Sequence, residues 1–247
     1  GPLYNSSSGA VNYDPNAPEG GDNWRGGFRT RLYITPLRPA DLDDCKAINL
    51  VVIVDGFDVK NKRTVNTVVY AFLGALKPML DKGYDVLVLD YNNNYEGGRD
   101  YLQRNGYALK EVLKSIPTTY MKAGYEEHDA ILAGGSMGTQ TTRYALAKAE
   151  ELNEDHNVGL WIPVDGIFVG AHISWSLQGF LRFFSPISTG AEELRVGLDS
   201  PYSRQVLRRF TDLKLGEQSS YINYYNEVNA LNNWTGLPSK VRTVAIS

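Results

Sequence analysis

A chain of 247 residues is one large domain or two small ones, and 43% hydrophobic against 21% charged residues gives it enough apolar material for a real core. A formal charge of −3 and a pI near 5.7 give no reason to expect nucleic acid or an anionic membrane surface as a partner. No apolar run approaches the length that spans a bilayer, and the single cysteine, Cys45, rules out an internal disulfide and leaves the redox compartment unread.

Residues 1–27 are rich in Gly, Asn, Ser and Pro and read as a flexible or surface-draped lead-in. Gly1-Pro2-Leu3 looks like a protease scar from expression, which fits removal of a native signal peptide. Sixteen tyrosines, many asparagines and sequons at Asn5-Ser6-Ser7 and Asn233-Trp234-Thr235 suit a secreted or extracytoplasmic protein facing carbohydrate or lipid. Phe28 to Ile34 alternates loosely and is expected to be an edge strand before Pro36 and Pro39. Ile48 to Val54 is mostly β-branched, as in a strand covered on both faces of a parallel sheet, and ends at Asp55-Gly56-Phe57-Asp58.

Thr64 to Leu80 carries Val65, Val68, Val69, Phe72, Leu73, Leu76 and Leu80 at helical spacing. Tyr84 to Asp90 is the next strand, and 92–98 is a loop. A helix over 101–116 follows, stopped by Pro117. His128 to Ala133 is a strand, Thr139 to Leu152 a helix and Leu160 to Asp165 another strand. This alternation predicts an α/β fold, a mostly parallel doubly wound sheet with helices on both faces. The core spans 28–171. The segment 172–236 breaks the alternation with Trp175, Leu177, Phe180, Leu181, Phe183 and Phe184, then an Arg-rich helix around Arg204 to Arg209, and reads as a helical cap inserted over the rim. Its aromatics either pack a helical subdomain or line an apolar acyl or ring pocket. Residues 237–247 look like a further core strand. No internal repeat is apparent.

Gly134-x-Ser136-x-Gly138, between an apolar run and a helical pattern, fits the nucleophile-elbow motif G-x-S-x-G. In that turn a serine hydroxyl stands clear of the sheet, and a Cβ at either glycine would clash with the neighbouring strand or helix. In open parallel sheets ligands bind outside the carboxyl ends of the strands, where Asp55-Gly56-Phe57, Asp90-Tyr91, Ser136 and Asp165 all fall. Ser136 is therefore the candidate nucleophile, and it needs a base to take its proton. It also needs donors where negative charge develops: the N–H of Met137 at the start of the next helix and the N–H of Phe57 in the loop after the first long strand. His128 and His156 belong at the far end of the sheet. His172 follows the strand carrying Asp165, so Asp165 is the candidate acid and His172 the candidate base. Trp175 and Phe168 are candidate substrate contacts. No cofactor is called for, no Cys/His cluster has metal-ligand spacing, and neither G-x-x-x-x-G-K nor G-x-G-x-x-G after a strand occurs.

Several segments together resemble the alpha/beta-hydrolase superfamily, in particular bacterial, often secreted, lipase/esterase-like hydrolases. They are Val54-Asp55-Gly56-Phe57-Asp58, Tyr101 to Asn105, Gly135-Ser136-Met137-Gly138 with Arg143 to Ala147, His156-Asn157, and Val164-Asp165 through Gly170-Ala171. The resemblance implies Ser136 as nucleophile with the Asp55-Gly56-Phe57 loop beside an oxyanion hole, and a small-molecule or lipid ester as substrate. The chain departs from the pattern at Thr139, where a second glycine is usual, and at Gly166-Ile167-Phe168, where Ser-Pro-His is usual. It also ends where the family's acid would be expected. Three explanations stand: a truncated chain, or one completed by a second polypeptide; Asp165 and His172 as a substitute pair; or a scaffold kept for binding a protein or glycan after hydrolysis was lost. The first reading is a serine ester hydrolase acting through an acyl-enzyme, the second a hydrolase-like binding or assembly module.

Overall fold

The structure is a computed structural model that describes residues 3–5, 27–38, 45–60, 62–91, 97–210 and 219–246. Its centre is a seven-stranded sheet in the order β1-β2-β4-β3-β5-β6-β7. Strands β3 (Leu50–Val54), β4 (Asp85–Tyr91), β5 (Ala130–Gly135), β6 (Val158–Val164) and β7 (Arg242–Thr243) run parallel; β1 (Leu3–Asn5) and β2 (Gly27–Tyr33) are antiparallel additions. Every residue of β3 and of β4 is buried, as expected for central strands covered on both sides.

The two coverings divide by the alternation of the strands. Val51, Ile53, Val86 and Val88 face α1 (Val65–Leu80) through Val68, Val69 and Leu76. Val52, Val54, Leu87 and Leu89 face the opposite layer, built from α2 (Leu102–Lys114) and α3 (Met137–Glu151). The doubly wound α/β expectation is thus met, with helices on both faces of a mostly parallel sheet.

Three local expectations need correction. The 28–34 stretch is not an edge strand, because Leu3–Asn5 pairs outside it (Leu3↔Arg29) while β4 pairs inside it. The rest of the lead-in, 6–26, lies outside the described residues, as does the 92–96 part of the expected loop. The Arg-rich helix is only α6 (Pro201–Val206), because Leu207 leaves the helix to bridge Ala171, whose carbonyl accepts the Arg208 N–H. The last strand is regular only at Arg242–Thr243. Pairing resumes irregularly beyond it, where the Ile246 N–H donates to the Pro163 carbonyl and the Asp165 N–H to the Ile246 carbonyl.

Segment 172–236 holds α4 (Trp175–Phe184), α5 (Thr189–Leu198), α6 and α7 (Ser219–Trp234, broken at Leu231–Asn233). Ser174, Ser188 and Ser200 start the first three by accepting the N–H groups of Leu177, Ala191 and Ser203, caps worth about 1 kcal/mol each. The helices divide by what they cover. α5 docks on the loop after β3, where Glu193 takes Lys60 and Lys62 and Gly197 lies against Val59. α7 lies along α3: the Tyr224 hydroxyl donates to Gln140, the Tyr144 hydroxyl to Glu227, and the buried Arg143 guanidinium to Asn229 and the Gly236 carbonyl.

Candidate functional site

Ser136 stands between the end of β5 and the start of α3 with φ 51 and ψ −115, a conformation that costs a non-glycine residue on the order of 1–3 kcal/mol. The neighbours over-determine it. A Cβ on Gly134 would come within 2.5 Å of the Gly138 carbonyl oxygen, and one on Gly138 within 2.6 Å of the Val54 and Asp55 oxygens. The Ser136 N–H donates to the Val164 carbonyl at 2.9 Å, and the Thr139 hydroxyl donates to the Gly134 carbonyl at 2.7 Å. The Ser136 side chain is exposed and does not cap the helix that it precedes.

The departures at 139 and 166 answer each other. A Cβ on Gly166 would meet the Thr139 methyl at 2.5 Å and the Phe168 ring at 2.7 Å. The threonine fills space that a side chain at 166 would need, and its hydroxyl ties down the turn.

Ser136 opens into a cleft of about 450 Å³ shared with Asp55, Gly56, Phe57, Arg63, Phe72 and Asp165. The 55–57 loop is immediately adjacent, since a Cβ on Gly56 would lie 3.5 Å from the Ser136 Cβ. Among the described residues, no carbonyl or side chain takes up the Phe57 N–H or the Met137 N–H. The Phe57 ring is held from above by Tyr202 of α6, with centroids 4.6 Å apart.

Charge in the cleft is fixed by the turn after β3. Burial raises the Asp55 carboxyl above the ordinary value, opposed by Arg63, whose Nη1 lies 3.0 Å away, and by the Gly56 N–H. Asp58 accepts the N–H groups of Lys60, Lys62 and Arg63 and so holds Arg63 in place. Behind it, burial pushes Asp90 up to about 7 despite its ion pair with Arg29.

The sequence candidates separate. Ser136, Met137, Phe57 and Asp165 come together at the rim, Asp165 turning off β6 with φ 47. His172 does not join them. It is exposed and lines another cleft, of about 690 Å³, with Arg208, Arg209 and Tyr221. Phe168 lines a third cleft, of about 570 Å³, between α7 and β6, edge-on to Trp161 and beneath Arg143. Trp175 begins α4, exposed, with Arg209 over its ring. His128 contacts the Ile48 carbonyl at the amino end of the sheet, and the buried His156 accepts the Val158 N–H. Arg63, Thr67 and Phe72 were missed as site residues. The only sequence hint was Asp58 with a helix start following at Thr64. Among the described residues no His, Cys, Asp and Glu group could hold a metal ion, and no helix is long and apolar enough to cross a membrane.

No protein-family model matches the chain, and no curated protein matches its sequence. Its fold does match solved structures. A Bacillus licheniformis lipase in propeptide form superposes with TM-score 0.50 at 17% identity, over 88% of this chain and 38% of that one. A hyperthermophilic esterase from the archaeon Pyrobaculum calidifontis gives 0.52 at 17% identity, over 90% and 60%. A thermostable carboxylesterase cloned from a metagenomic library gives 0.51 at 14% identity, over 89% and 74%. The fold is that of the alpha/beta hydrolases, and these structural neighbours are lipases and esterases. The chain spans well under two thirds of the first of them.

Proposed function

We propose that the protein is a serine hydrolase of carboxylic esters that works through an acyl-enzyme on Ser136. The observation that carries this reading is the strained, exposed serine between β5 and α3, with two uncommitted main-chain N–H groups beside it. In the proposed reaction the Ser136 Oγ attacks the ester carbonyl carbon and loses its proton to a base. The carbonyl oxygen, now negative, accepts hydrogen bonds from the Met137 and Phe57 N–H groups. The intermediate collapses, the alcohol leaves with the proton, and water later releases the acid from Ser136. Phe57, Val68 and Phe72 give the cleft apolar walls suited to a small ester.

Asp165 is proposed as the acid and His172 as the base. Because the His172 imidazole lines a separate cleft, this pair requires the 166–171 segment to swing toward Ser136. That same placement favours the second reading, a hydrolase-like module that binds a protein or glycan without hydrolysing it. Hydrolysis of short p-nitrophenyl esters separates the two. The hydrolase reading expects turnover by the native chain and a fall of roughly 10⁴ to 10⁶ in kcat for Ser136→Ala. It expects a fall of roughly 10² to 10⁴ for His172→Ala. Turnover that survives Ser136→Ala sinks the first reading, and a folded native chain with no turnover favours the second.

A further inference from the structure

The main chain leaves the sheet at Asp55, whose N–H donates to the Leu89 carbonyl at 3.1 Å. The Gly56 N–H turns back to the Asp55 carboxylate at 2.7 Å, and the chain is tied again at Asp58, which accepts the N–H groups of Lys60, Lys62 and Arg63. Between these two anchors lies the peptide that carries the Phe57 N–H, the second proposed oxyanion donor. That peptide turns on ψ of Gly56 and φ of Phe57, and a glycine offers little resistance to such a turn. Its aim therefore rests on what holds the Phe57 side chain.

The cap supplies that hold. The partly buried Phe57 ring packs on the core and lies against the Tyr202 ring, with centroids 4.6 Å apart and planes at 41°. Tyr202 is 4% exposed and sits in the first turn of α6. Its hydroxyl makes no hydrogen bond among the described residues, so the ring is what it contributes. Helix α6 is fixed in turn to α2 and α5. The Leu102 N–H donates to Gln205 Oε1 at 2.8 Å, and Gln205 Nε2 donates to Gln103 Oε1 at 2.6 Å. The Ser200 and Ser203 hydroxyls donate to the Gly197 carbonyl at 2.7 and 2.9 Å. The same corner meets the loop again two residues on. A Cβ on Gly197 would come within 2.7 Å of the Val59 carbonyl oxygen, which also accepts the Arg99 guanidinium at 3.0 Å.

We infer that Tyr202 is a positioning residue for ester hydrolysis: its ring fixes Phe57, and through Phe57 the aim of the N–H toward the oxygen that becomes negative. The inference rests on the hydrolase reading and adds that the α5–α6 corner of the cap completes the oxyanion site. Packing alone would make Tyr202 matter for stability. Positioning makes it matter for kcat, because an oxyanion donor acts on the transition state more than on bound substrate.

The test uses the full natural chain with Tyr202→Phe, which keeps the ring, and Tyr202→Leu, which keeps only apolar bulk. The order parameter of the Phe57 N–H, from NMR relaxation, should be near the rigid value of about 0.85 in the native chain and in Tyr202→Phe, and below about 0.6 in Tyr202→Leu. On short p-nitrophenyl esters, Tyr202→Phe should keep kcat within about twofold. Tyr202→Leu should lose roughly ten- to a hundredfold in kcat, part of the loss that follows removal of an oxyanion donor, with KM within about threefold. Tyr202→Met replaces Tyr202→Leu if the latter melts below the assay temperature. An unchanged order parameter in Tyr202→Leu, a loss carried by KM instead of kcat, or an equal loss in Tyr202→Phe would each overturn the inference and leave the hydrolase reading standing. A folded native chain that turns over no ester would overturn both.

Discussion

The Ser136 cleft and the His172 cleft lie on the same chain and are built in opposite ways. The first is assembled from the ends of β3, β5 and β6 and is fixed by main-chain contacts: glycines that admit no Cβ, a serine held at positive φ, and an aspartate that gathers three N–H groups. The second is lined by side chains at the margins of α4, α6 and α7, beside an aromatic face that no other described layer covers. A site made of backbone at sheet ends is preorganised, which suits chemistry that must meet a developing charge without rearrangement. A site lined by side chains is adaptable, because each of them can change rotamer.

The comparison breaks most severely at Gly138. Alanine there would place Cβ 2.6 Å from two backbone oxygens of the β3 end, neither of which can rotate away. Gly138→Ala should cost about 3 kcal/mol or more in urea unfolding, beyond the usual range for overpacking by one methyl. A cost under about 1 kcal/mol would mean that the turn is not pinned to β3 as described.

Next comes the pair at 139 and 166. Gly166→Ala should destabilise by about 1–3 kcal/mol, because its Cβ meets the Thr139 methyl and the Phe168 ring. In the double variant with Thr139→Ala, part of that cost should vanish, giving a coupling energy of roughly 0.5–3 kcal/mol. Strict additivity would show that the two departures from the hydrolase pattern are unrelated.

A third effect, graded by pH, concerns charge behind the rim. Burial lifts Asp90 from 3.8 to about 7, against Arg29. Between those values the folded chain binds a proton that the unfolded chain has released, so this group favours folding at low pH and loses that contribution as pH rises through about 7. Stability relative to Asp90→Asn should therefore fall between about pH 5 and about pH 7.5 with a slope of at most about 1.4 kcal/mol per pH unit, the limit for one proton. Parallel profiles for the two proteins would contradict a raised Asp90.

How much of this was legible in the sequence follows the same division. The apolar runs at 50–54 and 86–89 suggest strands covered on both sides, and such strands fix where their ends lie. Ser136, Phe57 and Asp165 could therefore be put on one rim from residue order alone. The aromatic content of 172–184 suggests a helical cap, but not whether a layer exists to cover its rings. Both sequence readings placed these aromatics inside, whereas Trp175, Phe180 and Phe183 are exposed. The placement of His172 depends on the Ala171–Leu207 bridge, a contact between distant residues without local signal. Arg63 depends on Asp58, and the match of Thr139 to Gly166 depends on tertiary packing, so neither could be read from spacing.

The central claim is that Ser136 is a reactive hydroxyl beside main-chain donors. Treating the full natural chain with a fluorophosphonate probe and mapping the adduct by peptide mass tests it most directly. The account predicts a single phosphonylated serine at position 136, with labelling lost in Ser136→Ala. A folded chain that stays unlabelled, or one that carries the adduct elsewhere, would contradict it.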